Sequence, residues 1–186
     1  MRTQQCGCRR LKIKIKEVIW LAPLPNWIKI NSDGATKGAP GLAGGGSIFR
    51  DHNGDYLGGF ADFFGIKDAL FVELQAALKA TQIAHQKGWR NICLECDSIL
   101  VVNIFKGQGV IPWRLTNSWH MCLGYLASTN FKVSHIYGEV NACADSLASF
   151  GVCSQMYSWW DFVPGFIFDD FNRNRLGLPN YRCSFM

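Results

Sequence analysis

Apolar and polar positions along this chain follow two periods in succession. The run Trp27-Ile28-Lys29-Ile30-Asn31 alternates with the period of two that a half-buried strand requires, and it stops at Ser32-Asp33-Gly34. After a glycine-rich stretch from Gly38 to Gly46 come two apolar runs, Ser47-Ile48-Phe49-Arg50 and Tyr56-Leu57-Gly58-Gly59-Phe60-Ala61, separated by Asn53-Gly54. Asn-Gly in that position signals a hairpin, because both residues tolerate the positive φ of a tight turn. The first three strands therefore read as an antiparallel meander. From Ala69 to Lys87 the period lengthens. Leu70, Leu74, Ala77, Thr81 and Ala84 recur on one helical stripe, and Gly88 stands where a helix should end. A strand over 91–96, a short helix through Phe105, a helix over 115–127, a strand over 131–136 and a helix over 141–150 complete the order β-β-β-α-β-α-α-β-α. A meander followed by alternating strands and helices predicts an α/β fold: a mixed five-stranded sheet with helices on its faces.

Outside this span the pattern weakens. Residues 1–25 form a basic lead-in carrying Arg9, Arg10, Lys12, Lys14 and Lys16, closed by Pro23-Leu24-Pro25. Lys12-Ile13-Lys14-Ile15-Lys16 alternates like a strand, but no turn pairs it with a neighbour. It is read as a linker in preference to a nucleic-acid-binding arm. Residues 152–186 carry Trp159, Trp160, Phe162, Phe166, Phe168 and Phe171 without a clean period. They are expected to pack on or trail the domain formed by residues 26–151.

Composition narrows the class. A chain of 186 residues suits one domain with a real core, and 48% hydrophobic with 18% charged residues excludes a disordered one. A net charge of +5 is compatible with a nucleic-acid partner without singling one out. The apolar run Val18 to Ala22 is too short for a signal core or a membrane span, and Pro23 ends it. Eight cysteines without secretory features read as reduced, mostly buried thiols of the cytosol or nucleus. Cys93 and Cys96 lie three apart in a strand and so face opposite ways, which argues against a shared metal, and Cys6-x-Cys8 has no second pair at zinc spacing.

Four acids interrupt positions that should be apolar or should end an element. Asp33 ends the first strand and Asp97 the fourth. Glu73 lies in the first turn of the long helix above Ala76, Ala77, Ala80 and Ala84, and Asp145 lies between Ala144 and Leu147-Ala148 in the last helix. Buried acids repel one another and lose hydration, so a cluster needs a cation, and magnesium prefers carboxylate oxygens. Taken singly, each acid has an ordinary explanation as a turn, cap or surface residue. Spacing alone does not show that they converge.

The segments Asn31-Ser32-Asp33-Gly34-Ala35, Glu73-Leu74-Gln75-Ala76, Glu95-Cys96-Asp97-Ser98 and Asn141-Ala142-Cys143-Ala144-Asp145-Ser146-Leu147-Ala148 resemble the four signature blocks of type 1 ribonuclease H, in family order. The likeness is nearest to the domains associated with non-LTR retroelement reverse transcriptases of plants, and it covers about Trp27 to Gly151. It implies a ribonuclease H-like fold that cuts the RNA strand of RNA–DNA hybrids. Asp33, Glu73, Asp97 and Asp145 would hold two Mg2+ ions, with Mn2+ as a substitute. His135, ten positions before Asp145, would assist water activation or product release, a task suited to a neutral imidazole. Asn141 would orient the site. The resemblance also implies a reverse transcriptase in the same polyprotein, a monomeric domain and no membrane partner.

Reading the RNA strand requires contact with 2′-hydroxyls. Gly34, with the glycine-rich segment after it, and Ser98 are candidates for that contact, and Lys37 for a phosphate. Two departures from the family bear on function. The segment Gly107-Gln108-Gly109-Val110-Ile111-Pro112-Trp113 has few basic residues where active members carry a basic protruding helix. Gly138 stands in the histidine loop where relatives carry a larger side chain, so a looser loop is expected. The alternative to an active nuclease is a weak or inactive domesticated domain that binds nucleic acid without cutting it.

Overall fold

β2 (Ile28–Gly38) and β3 (Gly41–Arg50) pair antiparallel from Lys29↔Arg50 to Gly38↔Gly41, and β4 (Tyr56–Lys67) returns along β3. The computed structural model describes residues 13–185, so Arg9, Arg10, Lys12 and the Cys6-x-Cys8 pair lie outside the described residues. The turn at Asn53-Gly54 forms as expected. Asp51 Oδ1 accepts from the amides of Asn53 and Asp55, each at 2.9 Å, and Gly54 takes φ 76°. The meander strands are longer than the apolar runs because the glycine-rich stretch joins the sheet.

Those glycines let two helices approach. A Cβ on Gly45 would fall 2.7 Å from the Cβ of Ala76 in α1 (Ala69–Gln86). A Cβ on Gly44 would fall 2.6 Å from the Val152 amide in α4 (Ala142–Ser154), and Gly46 is equally tight against Ala148. Neighbouring residues of a strand face opposite sides, so the three consecutive glycines seat α1 on one face and α4 on the other. α4 also continues past Gly151, where 141–150 was expected, because that glycine lies against the Asp62 backbone of β4.

β5 (Asn91–Cys96) lies parallel to β2, and β6 (Asn130–His135) parallel to β5, reached through α1 and through α2 (Ile99–Phe105) with α3 (Thr116–Leu126). The large core on the α1 face gathers Ile30, Phe49, Phe60, Leu74, Leu94 and Val102, with Trp119 from α3. A smaller core on the α4 face gathers Ile48, Cys143, Leu147, Ile167 and Phe171, the last from α5 (Phe168–Arg175). The expected helices on both faces are therefore present.

Two features differ from the sequence reading. The sheet has six strands, in the order β6-β5-β2-β3-β4-β7, because β7 (Ser158–Trp160) adds to β4 through Phe60↔Trp159. Three residues are too few to print a period. The lead-in, read as a linker, contributes β1 (Ile13–Val18), which pairs antiparallel with β8 (Asn180–Phe185) in a separate two-stranded ribbon. Its partner lies at the far end of the sequence, beyond the reach of any hairpin signal.

Candidate active site

Sheet register brings two carboxylates level. Asn31 of β2 pairs with Glu95 of β5, so Asp33 and Asp97, each two residues further on, come side by side where β5 ends and β2 runs on. Carboxyl ends of parallel strands are where such sheets build sites. Glu73 arrives from α1 just past its first turn, not within it as the sequence suggested, because the helix starts at Asp68, whose carboxylate accepts from the Phe71 amide at 2.9 Å. Gly34 allows this approach: a Cβ there would lie 2.6 Å from the Glu73 amide nitrogen. Asp145 arrives from the first turn of α4. Just before that helix, the buried Asn141 donates from Nδ2 to the Ser32 carbonyl at 3.2 Å, tying α4 to β2. His135 ends β6 opposite Cys96, with Nε2 3.0 Å from the Asp97 carbonyl oxygen.

The electrostatics register this convergence. Asp33 is 8% exposed and its pKa is pushed up to about 8. Burial is the largest cause and the Asp97 charge the next; the Gly34 amide, donating to Oδ1 at 2.7 Å, works the other way, while Asp145 and Glu73 raise it further. Burial also raises Glu73, a hydrogen bond from Ser98 lowers it, and Asp97 raises it. Asp97 is raised by burial and by Asp145, and lowered by its own backbone amide, by His135 and by a hydrogen bond with Asn141. The four acids are thus within electrostatic reach of one another. Even so, among the described residues no three His, Cys, Asp or Glu side chains are close enough to grip one ion as they stand. A hard divalent cation would need these carboxylates drawn closer than they stand. The donor set fits such an ion: all are carboxylate oxygens, held where charge is costly. Asn141 Oδ1 is buried and has no hydrogen-bond partner.

The remaining expected residues fall unevenly. Ser98 reaches Glu73. Gly34 is wedged against the α1 backbone with its amide spent on Asp33, so the structure gives it a packing role. Lys37 is four residues along β2 from Asp33, roughly 13 Å at strand spacing, and its Nζ lies 3.4 Å from Cys153 Sγ. It is not brought to the acids. Gly138 begins a tight turn over Asp97, where a Cβ would stand 3.2 Å from Asp97 Oδ2. The turn there is hydrogen-bonded: the Asn141 amide donates to the Gly138 carbonyl at 2.9 Å, and Val140 is buried while Gly138 is exposed. Cys93 and Cys96 do face opposite sides of β5, the first half-buried and the second buried.

Below the acids lies a polar network to which sequence reasoning assigned no role. Asn31 Oδ1 accepts from Trp20 Nε1 at 3.1 Å and from Arg50 Nη2 at 2.7 Å, while its Nδ2 donates to Glu95 Oε2 at 3.1 Å. Lys29 donates to Glu95 Oε1 and to the Leu21 carbonyl, both at 2.6 Å. Arg50 is fully buried beneath the Trp20 ring, which lies 3.7 Å from its guanidinium carbon. The signal was available: Asn31 and Glu95 each precede an acid by two positions, which puts them on the same strand face as that acid.

A mixed sheet in this order, flanked by helices, with two acids from strands and two from helices at one end, defines a ribonuclease H-type fold. The structure matches RNase H1 of the halophilic archaeon Halobacterium salinarum with TM-score 0.63 and 24% identity, over 69% of this chain and 98% of that one. LC11-RNase H1, solved in complex with an RNA/DNA hybrid, matches with the same TM-score, identity and coverage. A ribonuclease H protein of Arabidopsis thaliana is 32% identical over 147 residues, 78% of this chain; the chain spans 24% of that relative's length. The family model described as reverse transcriptase-like matches residues 31–151, and the chain belongs to that family.

Proposed function

We propose that the chain is a divalent-metal-dependent endonuclease, of retroelement origin, that hydrolyses the RNA strand of RNA–DNA hybrids. The observation that carries this reading is the convergence of Asp33, Glu73, Asp97 and Asp145 from two strands and two helices onto one end of the sheet. A divalent metal bound there, Mg2+ above all, would activate a water and stabilise the departing oxygen of an in-line phosphodiester displacement.

The residues around the acids have separate tasks. Asp33 and Asp97 project from strands locked in register by the Asn31–Glu95 hydrogen bond. Ser98 stands beside Glu73 and favours its charged form. Asn141 holds the start of α4, and so Asp145, against β2. The imidazole of His135 is exposed at the rim beside Asp97, placed to pass a proton between attacking or leaving oxygen and solvent. For the duplex, Ser98 is the polar side chain beside the acids that could meet a 2′-hydroxyl. A groove of about 460 Å3 continues from the α1 N-terminus, lined by Pro40, Lys67, Trp113 and Arg114. Trp113 is 79% exposed there with Arg114 over its ring, and Asp68 lines the groove beside Lys67; the exposed ring suits stacking against a strand.

A second reading is favoured by one observation: between Phe105 and Leu115 the only cations are Lys106 and Arg114, little to hold a polyanion. On that reading the domain binds nucleic acid without cutting it. The test is incubation of a hybrid, labelled on either strand, with the protein in Mg2+ or in EDTA. Shortened RNA with intact DNA, in Mg2+ alone, is the expected result. Intact RNA under both conditions with a retained gel shift would replace the nuclease by the binding module.

A further inference from the structure

The β1–β8 ribbon lies wholly outside residues 31–151, the span that the family accounts for. It packs on one element of the site, the loop from His135 to Asn141. Lys16 and Arg182 are cross-strand partners, so their side chains leave the same face of the ribbon together. Both meet Tyr137. Lys16 Nζ donates to the Tyr137 hydroxyl at 3.1 Å, and the Arg182 guanidinium carbon stands 4.8 Å from the ring centroid. Arg182 also pairs with Glu139 at 3.3 Å. Behind these contacts Val18 and Trp20, from β1 and the segment after it, bury Val140 with Ile136 and Tyr137 alongside. The Tyr137 ring in turn meets His135 edge-on, with centroids 5.8 Å apart.

An isolated two-stranded ribbon is marginal in water and needs a surface to rest on. Here that surface is the histidine loop, and contacts with both strands converge on one aromatic side chain. We infer that the ribbon is a clamp, and that Tyr137 and Arg182 are positioning residues that hold the His135 loop over Asp97. This inference rests on the hybrid-cleaving reading for its effect on rate, but the clamp itself is a claim about the loop.

The test uses the full chain and the variants Tyr137→Ala, Tyr137→Phe, Arg182→Ala and Arg182→Lys. Arg175→Ala serves as control; it breaks a surface pair with Asp55 elsewhere. Amide exchange is followed at Ile136, Val140 and Asn141, whose N–H groups are hydrogen-bonded to Cys96, Tyr137 and Gly138. In Tyr137→Ala and Arg182→Ala these amides exchange about tenfold faster or more, while amides of the β2–β3 ladder keep their protection. Hybrid cleavage then loses kcat by roughly fivefold or more at nearly constant KM, and Tyr137→Phe and Arg182→Lys recover most of it. Unchanged exchange in both alanine variants would overturn the clamp, as would a loss confined to KM, which would make the ribbon a substrate contact. Should the natural chain not cleave at all, the proposed function fails, and the exchange measurement still decides the clamp.

Discussion

Asp33 is held in a setting that resists its charge. It is buried, three other acids face it, and only the Gly34 amide compensates. The consequence for stability has a definite sign. A carboxyl whose folded pKa lies above its unfolded value binds its proton more tightly in the folded state. Its contribution is therefore fully present below the ordinary pKa of 3.8 and is lost as pH rises through about 8. Asp33→Asn replaces the acid with a neutral side chain of the same shape. In EDTA the variant is expected to melt above the natural protein at pH 8, with the difference shrinking towards pH 4. For a chain of this size the gain is about 2–4 °C per kcal/mol. Thermal melts of both proteins across that range check it, and parallel curves would mean that Asp33 is not strained by its surroundings. A residue that destabilises the fold without metal is what a site kept for function looks like.

Between elements, the decisive contacts are small residues and one buried ion pair. Consecutive glycines of β3 admit α1 and α4 to opposite faces, and Gly34 lets Glu73 descend beside Asp33. The strand pair that carries Asp33 and Asp97 is tied by Lys29, Glu95 and Asn31, with Lys29 and Glu95 only 8% and 13% exposed at their side chains. Glu95→Gln would keep the shape but leave the Lys29 ammonium buried without its counter-charge. A stability loss of about 3 kcal/mol or more is expected, as for other broken buried pairs. Urea unfolding at pH 7, read as a fall in midpoint at constant slope, measures it. A loss under about 1 kcal/mol would class the pair with surface ion pairs and remove the argument that it sets the register.

At the scale of the molecule, local pattern carried most of the fold. The meander, the Asn53-Gly54 turn, α1 and the strand over 91–96 were legible because each is a run long enough to show its period. The positions of the four acids were legible as interruptions of that pattern, and their likeness to ordered family blocks grouped them before any geometry did. What stayed hidden was long-range. β1 and β8 read as a linker and an aperiodic tail because their partners lie at opposite ends of the chain, and β7 is three residues long. Arg50 passed as a strand end, although it is buried beneath Trp20 and donates into a network centred on Asn31. Lys37, expected as a phosphate contact, lies four residues along β2 from Asp33, and its Nζ is beside Cys153 Sγ. Gly138, read as a loosening substitution, lies where an added Cβ would stand 3.2 Å from Asp97 Oδ2, a proximity no sequence period reports.

The central claim is that the converged acids cut RNA in a hybrid, and a comparison of the natural chain with Asp97→Asn tests it most directly. With a labelled hybrid in Mg2+, the natural chain is expected to shorten the RNA. The variant should still bind the hybrid but lose cleavage by about a hundredfold or more, the scale on which loss of an electrostatic catalytic group is felt. Equal cleavage by both proteins, or none by either with binding intact, would contradict the account.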